Sequence, residues 1–317
     1  MNLLVYVVIT VLLAGAQVGY LRLARHFGII DQPNERSSHT DLTTVRGGGI
    51  LFYMAELGAF LYSGFTYPYF FAGLTLVAAV SFMDDLRPLS NRYRLMGQFA
   101  GIALLLHETG MANEIWAATG LLIVGVGILN AWNFMDGING MTAWYGIVCI
   151  GTLWFWQSQL QLPETDVFLP FAFIALLLFS FVNARRRAVC FAGDVGSVSI
   201  AFITLLALMQ IVVSTKTYLP VLLLAVYGVD TILTILHRLY LRQPVFRAHR
   251  LHLFQLLVDK LNWPHLRVSA LYALIQLAIN LLVMNGISWA GRSQWMLAGG
   301  ILTTLTGLYV LVKRRLT

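Results

Sequence analysis

Long apolar stretches, each cut off by a short polar segment, repeat along the whole chain. A bilayer core about 30 Å thick needs roughly 20 helical residues at 1.5 Å each. Eleven runs approach that length, at 2–21, 47–65, 67–83, 95–110, 117–133, 141–158, 167–183, 197–214, 217–237, 267–286 and 294–312. In lipid only a helix or a closed barrel satisfies its own backbone, and runs this long read as helices. The pattern predicts an all-α polytopic integral membrane protein of about eleven transmembrane helices, one transmembrane domain over 1–317. Loops 22–47, 84–94, 133–141, 184–197 and 238–266 are expected to gather on one face and form the active site.

Charge decides which face. Nineteen of the 21 Lys and Arg fall in that set of loops, at Arg267 directly after it, or just beyond the last run, leaving only Lys216 and Arg292 on the other side. Cytoplasmic loops hold such an excess, so the N-terminus is expected outside and the C-terminus and active site inside. The net charge of +7 is then topology and lipid-headgroup contact, with no nucleic-acid partner implied. Only 11% of residues are charged and 58% are hydrophobic, too little polar surface for a soluble globule. The first run lacks a basic leader and is expected to stay in the protein. Cys149 lies in an apolar run and Cys190 in a polar loop, without the spacing of a disulfide or a zinc site.

Among 14 acids, placement carries information. Asp31, Glu35, Asp41, Asp84, Asp85, Asp136, Asp194 and Asp259 fall on the inner side, amid the basic residues. That mixture suits a phosphorylated substrate with a divalent cation, since carboxylate oxygens hold Mg²⁺ and basic side chains hold phosphate. Asp84-Asp85 closes the third run, where adjacent like charges at a helix C-terminus would be relieved by a cation or an ammonium; a solvated acid pair is the plainer alternative. In Asn133-Phe134-Met135-Asp136-Gly137-Ile138-Asn139-Gly140, Asn133 and Asp136 share a face if the fifth helix continues. The glycines allow a ligand ring to approach, or simply a tight turn. Gly193-Asp194-Val195-Gly196-Ser197 enters the eighth run as a glycine turn with free amides and one further carboxylate. Arg185, Arg186 and Arg187 just upstream are membrane anchors or substrate contacts. The longest inner loop holds Arg247-Ala248-His249-Arg250-Leu251-His252, where His249 and His252 share a face if helical and imidazole beside arginine can donate to a pyrophosphate. The first inner loop, from Asp31 through Arg36 and His39 to Gly47-Gly48-Gly49, reads as an ordered non-helical segment.

Together these segments resemble the polyprenyl-phosphate N-acetylhexosamine-1-phosphate transferases, the glycosyltransferase family 4 superfamily of membrane enzymes. The likeness rests on Asp31-x-Pro33-Asn34-x-Arg36-x-x-His39, Gly47-Gly48-Gly49, Asp84-Asp85, Asn133-x-x-Asp136-Gly137-x-x-Gly140, Gly193-Asp194-x-Gly196-Ser197 and the histidine loop, in the family's order. It implies transfer of a sugar-1-phosphate from a UDP-sugar to undecaprenyl phosphate, with release of UMP. It also implies Mg²⁺, with Mn²⁺ the alternative, and allows a homodimer. On that pattern Asp194 is the metal ligand with Asp85, and Asp84 orients or deprotonates the acceptor phosphate. Asn133 and Asp136 lie by the metal and pyrophosphate, and Gly137, Ile138 and Asn139 border the uracil. His249, Arg250 and His252 hold the donor pyrophosphate, and Arg36, His39 and Arg247 complete the substrate contacts. Two departures, Arg250-Leu251 between the histidines and Arg87-Pro88 after the acid pair, point away from the muramoyl-peptide branch. They point toward one that starts O-antigen or another surface polysaccharide.

A secondary transporter is the main competing class, because many spans with few acids also describe one. Its path would use the acids placed deepest in the apolar runs, Glu56 and Asp230.

Overall fold

A computed structural model describes residues 2–31, 44–113, 115–160, 167–244 and 249–316. Among them are twelve α-helices: α1 (Leu3–His26), α2 (Ile50–Tyr62), α3 (Pro68–Leu86), α4 (Asn91–Glu108), α5 (Ile115–Met135), α6 (Met141–Gln159), α7 (Phe168–Asn183), α8 (Gly193–Thr215), α9 (Ala225–Tyr240), α10 (Leu253–Leu261), α11 (His265–Gly286) and α12 (Gly291–Leu316). Each of the eleven apolar runs is a helix, and α10 is an additional short one inside the longest inner loop. Seven helical segments are long and apolar enough to cross a membrane, α1, α3, α5, α8, α11, α12 and the stretch Leu219–Tyr240, while α2 and α7 are shorter apolar helices.

The bundle is built around α8, buried over 94% of its apolar stretch, against 17% for α1 and 11% for α12. Helices α2, α3, α5 and α6 pack on it. Small residues set the closest approach. A Cβ at Gly49 would collide with Gly196 Cα, so the N-termini of α2 and α8 touch backbone to backbone. The outward faces of α1 and α12 carry Val7, Val11, Leu308 and Leu311, exposed apolar side chains suited to lipid.

Breaks in the helices are satisfied by side chains, as a low-dielectric surrounding demands. Ahead of α9 the chain runs as a 3₁₀ turn, Leu219–Leu224. There Gln276 of α11 splints the change of helix type. Its Oε1 accepts from Val226 N at 3.0 Å and Tyr145 Oη at 2.7 Å, and its Nε2 donates to Leu222 O at 3.0 Å. At the start of α3, with Pro68 in its first turn, Glu108 Oε2 accepts from Phe70 N at 2.9 Å.

Two inner loops are zipped together by backbone. Val45 bridges Ile30 on one side and Cys190 on the other. Val45 N donates to Val189 O at 3.2 Å, Phe191 N to Val45 O at 2.8 Å, Gly48 N to Phe191 O at 2.9 Å and Gly49 N to Ala192 O at 3.0 Å. The zip brings Arg46 and the three glycines beside Gly193 and Asp194. Cys149 and Cys190 are both buried free thiols.

Candidate active site

The helix that Asp84 and Asp85 terminate points them at the start of α8. Asp85, 7% exposed, accepts from Asp194 N at 2.9 Å with Oδ1 and from Val195 N at 3.0 Å with Oδ2. These are two of the amides a helix N-terminus leaves unpaired, and a carboxylate there is also favoured by the helix dipole. Gly193 makes this contact feasible: its φ is +73°, and an added Cβ would fall 2.5 Å from Asp85 Oδ2 and 2.8 Å from Gly47 Cα.

Two arginines complete the cluster. Arg46 Nε lies 2.7 Å from Asp85 Oδ1, and its Nη2 lies 3.6 Å from Asp194 Oδ1. Arg94 reaches Asp84 Oδ2 at 3.2 Å and Asp194 Oδ2 at 2.9 Å. Asp84 also accepts from Leu89 N at 2.6 Å, and its carboxyl group and that of Asp194 stand within hydrogen-bonding reach. Arg94 Nη2 donates to Asn133 Oδ1 at 3.4 Å, and Asn133 Nδ2 donates to Ser197 Oγ at 3.0 Å. Burial opposes the charge of Arg46, and Asp85 and Asp194 outweigh it, so its pKa is raised. Three carboxylates face two guanidinium groups here. The side chains of Arg46 and Arg94 are 31% and 21% exposed, and they form the open side of the cluster.

Asn133 and Asp136 part company. Helix α5 ends at Met135, and the Asp136 carboxyl turns to Thr142, whose Oγ1 donates to Oδ1 at 2.6 Å. Burial pushes the Asp136 carboxyl up to about 7, against the lowering effect of that bond. Gly137 lies under the ring of Phe254, at the start of α10. Ile138 and Asn139 are each 5% exposed. The Asn139 amide donates to the carbonyls of Arg185 and Arg186 at 2.8 and 3.2 Å, bracketing two loops. The exposed residues Arg185, Arg186 and Arg187 lie beside that bracket.

The histidine loop differs from the helical arrangement the sequence allowed. Helix α10 begins only at Leu253, with His252 as its N-cap and Gln255 completing a capping box. His252 is 2% exposed, its Nδ1 lies 3.2 Å from Asp230 Oδ1, and its ring is 5.0 Å from that of His249. His252 is thus enclosed at the base of the loop, held by Asp230, while His249 stands nearer its open side. His249 is half-buried. Arg250 is paired with Asp259 at 2.9 and 2.6 Å. Arg36, His39 and Arg247 lie outside the described residues.

Asp230 and Glu56, the two acids a transport path would use, are both buried. Asp230 accepts from Leu253 N at 3.1 Å and Tyr272 Oη at 2.6 Å and meets His252, tying α9 and α11 to the histidine loop. Glu56 is fully buried, with neither oxygen hydrogen-bonded among the described residues.

An all-oxygen carboxylate set suits Mg²⁺. Among the described residues no three His, Cys, Asp or Glu are grouped to hold a metal. Mg²⁺ commonly takes one or two carboxylates, with waters and substrate phosphates filling the rest, and the facing pair Asp84 and Asp194 fits that. Asp85, with both oxygens engaged by α8 amides and one by Arg46, is placed as a cap. Arg46 and Arg94, which the sequence shows only as part of the inner positive charge, are integral to the cluster. The available signal was Arg46 directly before three glycines, since a simple membrane anchor needs no such backbone freedom.

Residues 67–213, which carry the acid pair, the Asn133–Gly140 turn and the Gly193 entry to α8, match the family described as Glycosyl transferase family 4. A "Probable undecaprenyl-phosphate N-acetylglucosaminyl 1-phosphate transferase" of Bacillus subtilis (strain 168) is 27% identical over 258 residues, covering 73% of this chain and 70% of the relative. An "Undecaprenyl-phosphate alpha-N-acetylglucosaminyl 1-phosphate transferase" of Yersinia pestis is 26% identical over 292 residues, 84% of this chain and 78% of the relative. A "Phospho-N-acetylmuramoyl-pentapeptide-transferase" of Thermotoga neapolitana is 29% identical over 167 residues, about half of each chain. With its loops converging on one acid and arginine cluster and relatives of these kinds along most of its length, the chain is similar in sequence to the polyprenyl-phosphate hexosamine-1-phosphate transferase superfamily, and the family match over 67–213 supports that kinship.

Proposed function

We propose that this protein transfers an N-acetylhexosamine-1-phosphate from a UDP-sugar to undecaprenyl phosphate, releasing UMP, as the first step of a lipid-linked surface polysaccharide such as O-antigen. The observation that carries it is the convergence of Arg46, Asp84, Asp85, Arg94 and Asp194 from four separate segments at one end of the bundle. The reading includes eleven spans with the N-terminus outside, the site cytoplasmic and the membrane the bacterial inner membrane, supported by the inner excess of Lys and Arg.

In the reaction an oxygen of the lipid phosphate attacks the β-phosphorus of the UDP-sugar in line, and the bond to the UMP oxygen breaks. The attacking phosphomonoester, with a second pKa of about 6, is largely ionised near pH 7, so Asp84 serves better to orient it than to deprotonate it. Bound Mg²⁺ would neutralise charge developing on the transferred phosphoryl group. Asp84 and Asp194 are the residues to hold it. Asp85 fixes the first turn of α8, and Arg46 and Arg94 trade part of their carboxylate contact for phosphate oxygens. His249 and Arg250 face the donor pyrophosphate from the loop before α10.

The test is transfer of labelled sugar phosphate from UDP-GlcNAc, UDP-GalNAc and 6-deoxy analogues to undecaprenyl phosphate by purified protein in detergent. One donor is expected to give lipid product and UMP in equal amounts, with activity lost in EDTA and restored by Mg²⁺ or Mn²⁺. Folded protein that makes no product from any donor would overturn the proposal.

A further inference from the structure

In the sequence, Lys313, Arg314 and Arg315 read alike, as positive charge at the inner end of the last helix. The structure separates them. Arg314 and Arg315 are exposed, whereas Lys313 is 5% exposed. Its Nζ donates to Leu251 O at 2.9 Å and to Tyr309 Oη. Tyr309 Oη lies 2.7 Å from Thr234 Oγ1, which donates to Asp230 Oδ1 at 3.2 Å. The same Asp230 oxygen accepts from Leu253 N at 3.1 Å.

Residues 251–253 are thus gripped from two helices. An ammonium from α12 takes one loop carbonyl, a carboxylate from α9 takes the next-but-one amide, and two hydroxyls join the charges. A buried ammonium is costly unless its protons find acceptors, and here two are met, by Leu251 O and Tyr309 Oη, with the Asp230 carboxylate two hydroxyls away. The grip begins one residue after Arg250 and two after His249. A surface anchor would instead keep its charged end in water, as Arg314 and Arg315 do.

We propose that Lys313 is a positioning residue for the transfer: by holding the Leu251 carbonyl it sets where His249 and Arg250 meet the donor pyrophosphate, with Asp230 as the opposing hold. The inference rests on the proposed function, because it takes the donor to lie against this loop. On the same reading the acceptor phosphate is held elsewhere, at Asp84, Asp194 and the two arginines.

The experiment is steady-state kinetics of full-length variants in detergent, with donor and lipid acceptor varied separately and melting temperature measured alongside. Lys313→Met is expected to raise the donor KM about tenfold, the loss typical of one charged hydrogen bond, and to leave the acceptor KM within about twofold. Lys313→Arg is expected to recover most of the donor KM, and Arg314→Gln with Arg315→Gln to leave it unchanged. A purely structural role would lower the melting temperature and the active fraction with both KM values unmoved, and that result would overturn the inference. If Lys313→Met does not fold, Tyr309→Phe decides, since it removes the hydroxyl between Lys313 and Thr234. It is expected to raise the donor KM about threefold, and an unchanged donor KM would count against the clamp. Absence of transfer by the unmodified protein would refute the proposed function instead, so the two failures are distinct.

Discussion

Asp136 leaves the end of α5 and turns its carboxyl onto the Thr142 hydroxyl, where burial pushes its pKa up to about 7. Its ordinary value is 3.8, so between the two values the folded chain binds a proton that the unfolded chain has released. Stability contributed by this group is therefore present at low pH and lost as pH rises through about 7. Melting curves of metal-free protein in detergent should show that decline between about pH 4 and 7 and level off above it, and Asp136→Asn should flatten it. Gly193 offers a second single-residue test. Any Cβ there meets Asp85 Oδ2 and Gly47 Cα from a backbone at φ +73°, so Gly193→Ala is expected to cut transfer at least tenfold, with the loss in kcat, because the α8 amides and Asp194 shift together. Much of the site was legible at this scale: Asp84, Asp85, Asn133 and Asp194 stand together as their motifs implied. The roles within it were not. Whether an oxygen of Asp85 meets an amide or a metal depends on 2.9 and 3.0 Å contacts made across more than a hundred residues. The enclosure of His252 depends on Asp230 in another helix, which no local spacing encodes.

Elements were easier to read, because an apolar run of bilayer length has few alternatives to a helix. What escaped was where helices change character. Helix α10 is short and sits in a loop rich in charge, and its start is set by a capping box between His252 and Gln255 rather than by an apolar run. The 3₁₀ turn before α9 was equally hidden, since Leu219–Leu224 is as apolar as a regular helix. Gln276 holds that turn to α9 through Leu222 O and Val226 N. Gln276→Leu would leave both buried groups and the Tyr145 hydroxyl without this partner. A loss of about 1–3 kcal/mol is expected, read as a lower melting temperature in detergent.

At the scale of the molecule, an inner face of loops is welded into one surface by few backbone bonds and many charges. Arg46, Arg94 and Lys313 belong to the same positive excess on which the proposed orientation rests. Topology and the candidate chemistry therefore draw on the same residues, and a charge count along the sequence cannot divide them. Geometry can: Arg185, Arg186, Arg187, Arg314 and Arg315 are exposed, whereas Lys313 is buried and Arg46 and Arg94 are engaged with carboxylates.

The cap that Asp85 places on Asp194 N joins positions 109 residues apart, which gives the site a timetable during synthesis. At about 5–20 residues per second, the acid pair waits roughly 5 to 20 s for its amides to emerge. Until then Asp84 and Asp85 end a membrane helix with only Arg46 and Arg94 to offset them. The arrival of α8 both fills the centre of the bundle and supplies the missing donors. A chain stopped before Gly193 would lack both the amide donors for its acids and the helix that fills the centre of the bundle.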